Sequence, residues 1–162
     1  AVWRESNRAE DGSWDGLGLF SHQVRGFGLG VMNARAAYYA RHDGRFASFL
    51  AEGRTFGPHG EDLVVANSIE HYDDALSREL TEKAMRAMGF KPYVAPALSS
   101  GALSLLLCLR GEWNCSSTCL GGVFMGARNR VTPTGIELER LPLPRALMDR
   151  LRATEERLRA ID

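Results

Sequence analysis

The chain lacks any surplus of charge: twenty Lys and Arg stand against twenty Asp and Glu, for a formal net charge of zero. Nucleic-acid binding through bulk electrostatics needs an excess of basic residues on one face, so that class is excluded as an expectation. No apolar run approaches the length needed to span a bilayer; the longest, Leu103 to Leu109, is strand-sized. The first residues, Ala1-Val2-Trp3-Arg4-Glu5, have neither the apolar centre of a secretion signal nor an amphipathic targeting pattern. The expectation is a cytoplasmic protein that does not engage a membrane.

Cysteine is scarce too. Three residues, Cys108, Cys115 and Cys119, are an odd number in a chain long enough to bury a core without disulfides, so reduced thiols are expected. Structural zinc wants four N or S ligands, and three cysteines fall short, so no metal is expected. A redox pair of Cys115 with Cys119 is the stronger alternative, with Arg110 nearby to lower a thiol pKa. Also missing are internal repeats, a C-x-x-C-x-x-C run for an iron–sulfur cluster, and the G-x-G-x-x-G spacing of dinucleotide-binding folds.

What is present reads as one domain over residues 1–162, with an ordinary apolar share of 44% that argues against disorder. Helix formers from Val31 to Ala40 stop at His42-Asp43-Gly44. A second helix is expected from Asp73 or Asp74, a good N-cap, to Met88, with Leu76, Leu80, Ala84 and Met85 at helical spacing. A third runs from about Pro144 to Ile161, with Leu147, Leu151 and Leu158 as its apolar stripe. Strands are expected at Phe46–Leu50, Leu63–Ala66, Lys91–Val94, Leu103–Leu109, Gly122–Ala127 and Gly135–Leu141, with Thr132-Pro133-Thr134-Gly135 as a turn. Arg54 to Gly60 reads as a loop, and Trp113 to Thr118 as a polar connection or binding rim. The class is α/β (α+β): a single mixed sheet flanked by helices.

One segment invites a chemical reading. Arg25-Gly26-Phe27-Gly28-Leu29-Gly30-Val31 leads straight into the first helix. Glycines let a ligand approach the backbone, and free N–H groups at a helix start favour an anion such as a pyrophosphate. Arg25 adds a charged fork for the same phosphate. This R-x-x-G-x-G spacing, with Gly16–Phe20 before it and Met88-Gly89-Phe90-Lys91-Pro92-Tyr93 after, resembles the acyl-CoA motif of the GCN5-related N-acetyltransferase superfamily. The resemblance covers roughly residues 16–94. It implies an acyl-CoA N-acyltransferase-like fold, acetyl-CoA or another acyl-CoA as co-substrate, and a small amine or amino-acid-like acceptor. It nominates Arg25, Gly28 and Gly30 as CoA contacts, with backbone donors from Phe27 to Val31.

Candidate acid–base groups follow from residue type. His71, beside Tyr72, Asp73 and Asp74, is suited to take a proton from an acceptor amine, and Tyr72 or Tyr93 to protonate a leaving thiolate. His22 stands close to the glycine segment. His59, in Gly-Pro-His-Gly, is placed for a lid or a surface turn. Two other readings come from different classes. Gly126 to Leu138, with Ala87 to Tyr93, resembles in order and spacing the corrinoid- or flavin-binding domain of epoxyqueuosine reductases and reductive dehalogenases. That resemblance implies FMN or cobalamin in a reductase-like domain without iron–sulfur clusters. The other is a non-catalytic homo-oligomeric binding module, a homodimer using Trp3, Trp14 and the C-terminal helix.

Overall fold

The computed structural model describes residue 20 and residues 23–86 and 94–161, with side chains omitted for 94–98. Its elements run α1 (Gly28–His42), a 3-10 turn (Gly44–Phe46), α2 (Phe49–Glu52), β1 (Arg54–Phe56) and β2 (Val64–Ala66). Then come α3 (Asp74–Met85), α4 (Val94–Leu109), β3 (Asn114–Leu120), β4 (Val123–Thr132), β5 (Gly135–Leu138) and α5 (Arg145–Arg159). The mixed α and β class holds. Instead of a single mixed sheet, the described strands form two antiparallel sheets, β1-β2 and β3-β4-β5. Gly57 joins them by exchanging both main-chain hydrogen bonds with Gly126 in β4, at 2.9 and 3.1 Å.

The sheet made by β1 and β2 separates two cores. Alternation along β2 sends Val65 to one side, with Leu29, Met32, Ala36, Phe46, Phe49, Leu80 and Ala84. It sends Val64 and Ala66 to the other, with Phe56, Ile69, Leu147 and Leu151. Burial on both faces explains why Leu63-Val64-Val65-Ala66 is apolar without alternation. The three expected helices are there. Leu29, Met32, Ala36 and Ala40 put the buried stripe of α1 on the first core. Asp73 caps α3 through the Leu76 amide at 2.8 Å. Pro144 precedes the first residue of α5, and Leu147, Leu151 and Thr154 face inward.

Four expectations fail for identifiable reasons. Leu103–Leu109 lies in the helix α4, not in a strand. The run contains no β-branched residue, and Leu is a strong helix former, so the small-residue stretch before it continues as helix. Leu103, Leu105, Leu106 and Leu109 are exposed rather than buried on both faces. Phe46–Leu50 falls in the 3-10 turn and α2, where Asp43 accepts the Arg45 amide at 3.1 Å and starts the turn. Arg54–Phe56, expected as loop, and Asn114–Thr118, expected as a polar rim, are strands. In the second case Asn114, Ser116, Ser117 and Thr118 are buried, an arrangement that a polarity pattern does not reveal. The expected strand Lys91–Val94 lies almost wholly outside the described residues, as do His22, Tyr93, Trp3 and Trp14. No helix among the described residues is long and apolar enough to cross a membrane.

Candidate functional site

The glycine segment is built for close packing. Gly26 forms a bridge to Ser117 of β3, donating at 3.0 Å and accepting at 2.7 Å, so its amide and carbonyl are both used. Gly28, Leu29 and Gly30 belong to the first turn of α1, and the Gly30 amide turns back to the Phe27 carbonyl at 3.1 Å. A Cβ on Gly28 would lie 2.9 Å from the His59 Cβ. On Gly30 it would lie 2.0 Å from the Ser104 Oγ and 3.2 Å from the Cys115 carbonyl. The two glycines let α1 approach the His59 loop at one point and α4 and β3 at the other. Leu29 and Val31 are core residues. Arg25, nominated as a phosphate contact, donates through Nη2 to the Ser116 Oγ at 2.7 Å and to the Asn129 Oδ1. The Gly26 and Gly30 amides and the Arg25 Nη2 are thus committed to the protein's own packing.

His71 and Tyr72 lie just before α3, and their hydrogen bonds run away from the glycine segment. The exposed His71 ring meets the Glu52 Oε2 through Nδ1 at 3.3 Å, and its amide donates to the Ser68 Oγ at 2.8 Å. The Ser68 hydroxyl, and then His71, hold the Glu52 carboxyl below its ordinary range. Tyr72 donates its hydroxyl proton to the Asp74 Oδ1 at 2.7 Å and accepts from the Arg150 Nη1 at 2.9 Å. Burial raises its pKa. A phenol so committed is poorly suited to protonate a leaving group. Glu52, Glu70 and His71 bring ligand atoms within 4.8 Å of one another, the one such grouping among the described residues. It is a surface cluster whose Glu52 oxygen is already taken by Ser68 and His71.

The cysteine pair also dissolves. Cys115 and Cys119 are four residues apart on β3, so their Cα atoms are about 13 Å apart at ~3.3 Å per residue. A disulfide spans no more than about 7 Å between Cα atoms. Burial pushes the Cys115 thiol up to about 11, outweighing the attraction of Arg128 and Arg54. Thiolate is the reactive form, so the partly buried Cys115 is a weak nucleophile in the fold. Native protein treated with iodoacetamide at pH 8 is expected to leave Cys115 unmodified, as read by peptide mass, and to lose that protection in denaturant. Rapid native labelling of Cys115 would contradict the burial.

A different constellation stands at the start of α1. Gly57 (φ +92°) and Gly60 (φ +148°) bracket a turn carrying Pro58 and His59. Gly57 takes a conformation that side chains disfavour, and a Cβ there would also meet the Asp62 carbonyl at 2.8 Å. Its pairing with Gly126 anchors the turn to β4. His59 is exposed, and no residue of the described structure hydrogen-bonds its ring. It rests over Gly28 at the positive end of the 15-residue α1, where Phe27 offers no side-chain cap. Seven residues along, Arg35 returns to nearly the same helical face as Gly28. Its Nη1 donates to the Ala84 carbonyl at 3.4 Å and touches the Met32 sulfur at 4.0 Å, with no carboxylate partner among the described residues. An unengaged imidazole, a helix N-terminus and a guanidinium lacking a counter-ion thus share one side of α1. Sequence reasoning noted His59 only as a loop residue and missed Arg35. The Gly-x-His-Gly turn was the available signal, but nothing local in the sequence shows which helix it meets.

Two solved structures share this fold. A malate dehydrogenase from Archaeoglobus fulgidus, in complex with NADH, superposes with a TM-score of 0.60 at 19% identity, covering 88% of this chain and 53% of that one. A malate dehydrogenase from Aeropyrum pernix superposes with a TM-score of 0.64 at 18% identity, covering 88% and 56%. The chain folds like about half of a malate dehydrogenase. This likeness overturns the acyltransferase resemblance, together with the acyl-CoA, FMN and cobalamin expectations and the reductase-like and binding-module readings that accompanied them. The R-x-x-G-x-G spacing misled because a helix start pressed against a sheet demands small residues as strictly as a phosphate does. No protein-family model matches the chain, and no curated protein matches it in sequence.

Proposed function

We propose that this chain is the hydroxyacid-handling portion of a dehydrogenase-like protein, with His59 exchanging the hydroxyl proton and Arg35 holding a carboxylate. The observation that carries the reading is the free His59 imidazole over the uncapped start of α1, on the same helical face as Arg35. Oxidising a hydroxy acid to a keto acid sends the hydroxyl proton to a base and the carbon-bound hydride to a nicotinamide-type acceptor that this chain does not itself seat, while a cation holds the carboxylate. Both residue types are here, on a fold like that of enzymes named for malate. The positive helix end favours the anionic substrate further.

The residues do not fit a dinucleotide. Every described strand pairs antiparallel, and the G-x-G-x-x-G turn is absent, whereas dinucleotides are ordinarily seated on a parallel doubly wound sheet. The reading therefore gives this chain the hydroxy acid alone. Calorimetric titration is expected to show saturable binding of malate or oxaloacetate, weakened at least tenfold in Arg35→Gln while His59→Asn keeps its fold. Equal affinity in Arg35→Gln, or no binding by the native chain at millimolar ligand, would remove the proposal.

A further inference from the structure

The sheet face turned away from α1 carries a guanidinium with no carboxylate partner among the described residues. Cys115, on one face of β3, packs with the α1 core, so Asn114, Ser116 and Thr118 alternate to the opposite face. Their partners across the strand pair are Asn129, Ala127 and Met125, and the last two join the α5 core. Arg25 projects onto this polar face. Its Nη2 bonds the Ser116 Oγ and the Asn129 Oδ1, both in residues with no solvent exposure. Asn129 is saturated in turn, donating to the Ser116 and Ala127 carbonyls at 2.9 Å each.

The rest of the guanidinium has nothing. Among the described residues, the buried side-chain nitrogens and oxygens without a partner are Arg25 Nε and Nη1, Thr118 Oγ1 and Asn114 Oδ1, all on this face. Thr118 is 1% exposed. Because Gly26 bridges Ser117 antiparallel, Arg25 stands directly opposite Thr118, with Cβ atoms on the order of 5 Å apart. A half-buried cation whose two buried nitrogens face only neutral groups among the described residues, beside a buried hydroxyl with no acceptor there, is a costly arrangement that a bound anion would resolve.

We infer that Arg25 and Thr118 form a binding site for a small oxyanion, a monocarboxylate or inorganic phosphate. Arg25 Nε and Nη1 and the Thr118 hydroxyl donate to it. Asn114, about 13 Å along the strand from Thr118, lies beyond its reach. The site is on the opposite side of the sheet from α1 and His59 and stands whether or not the hydroxyacid reading does.

Thermal unfolding of the native chain, followed against acetate and against phosphate at constant ionic strength made up with chloride, tests it. A saturable rise in Tm is expected with at least one of the two, and the one that acts identifies the class. Thr118→Val keeps the shape of the side chain and should raise the half-saturating concentration about tenfold, as for one lost hydrogen bond to an ion. Arg25→Gln should abolish the response; if that variant does not fold, Thr118→Val decides alone. A native Tm that follows ionic strength only, or an unchanged half-saturation in Thr118→Val, would overturn the site.

Discussion

Gly126→Ala is expected to lower stability by about 3 kcal/mol, a Tm drop of roughly 6–12 °C for a chain of this size. Gly126 is where β1, β3, β4 and α1 converge. A Cβ there would sit 2.5 Å from the Leu29 Cδ2, 2.8 Å from the Ser116 carbonyl oxygen and 2.9 Å from the Ser117 Oγ. The leucine and serine side chains can turn aside, but the carbonyl is held in the β3–β4 ladder and cannot. Backbone movement at Gly126 would also disturb its two hydrogen bonds to Gly57, which anchor the His59 turn. Adding Leu29→Ala should recover part of the loss, so the double variant falls short of additivity. Strict additivity, or a Gly126→Ala protein as stable as the native one, would show that the three-way contact is not as tight as its distances state.

Glu139→Ala is expected to cost about 2 kcal/mol, less than the ~3–5 kcal/mol seen when a fully buried pair is broken. The Glu139 carboxylate receives the Arg54 Nε at 2.6 Å, the Arg54 Nη2 at 3.0 Å and the Arg128 Nη1 at 3.0 Å. Arg54 and Glu139 side chains are each 18% exposed, so removing the carboxylate strands a largely buried cation at the end of β1. Burial alone would raise the Glu139 pKa, but Arg54 and Arg128 outweigh it and the net shift is downward. A carboxyl depressed in the fold adds stability above its ordinary value of 4.5 and loses it as pH falls through the folded value. Urea unfolding should therefore show native stability declining below about pH 4.5, with a shallower decline in Glu139→Gln. Parallel pH profiles would assign the acid sensitivity to other carboxylates.

Much of the framework was legible because it rests on local rules. Asp73 before an apolar repeat marks the start of α3, Pro144 marks that of α5, and the Thr132–Gly135 turn marks the β4–β5 hairpin. The Leu103–Leu109 run was misread because a short apolar stretch has no period of its own to separate strand from buried helix. The site was legible only as residue types. Gly28 and Gly30 signal crowding, but whether a ligand, a histidine or a serine does the crowding depends on contacts between segments far apart in the chain. Ser104 and His59 supply those contacts. Arg25 was nominated as a phosphate contact from its place before the glycines, yet its direction is set by the Gly26–Ser117 bridge, which no local pattern announces.

The most direct test of the hydroxyacid reading is a proton NMR titration of the His59 ring, assigned by His59→Asn, with and without malate. A carboxylate bound between His59 and Arg35 stabilises the imidazolium, so the His59 midpoint should move to higher pH on adding malate and should not move in Arg35→Gln. A His59 midpoint indifferent to malate in the native chain would contradict the assignment of this face of α1 to substrate.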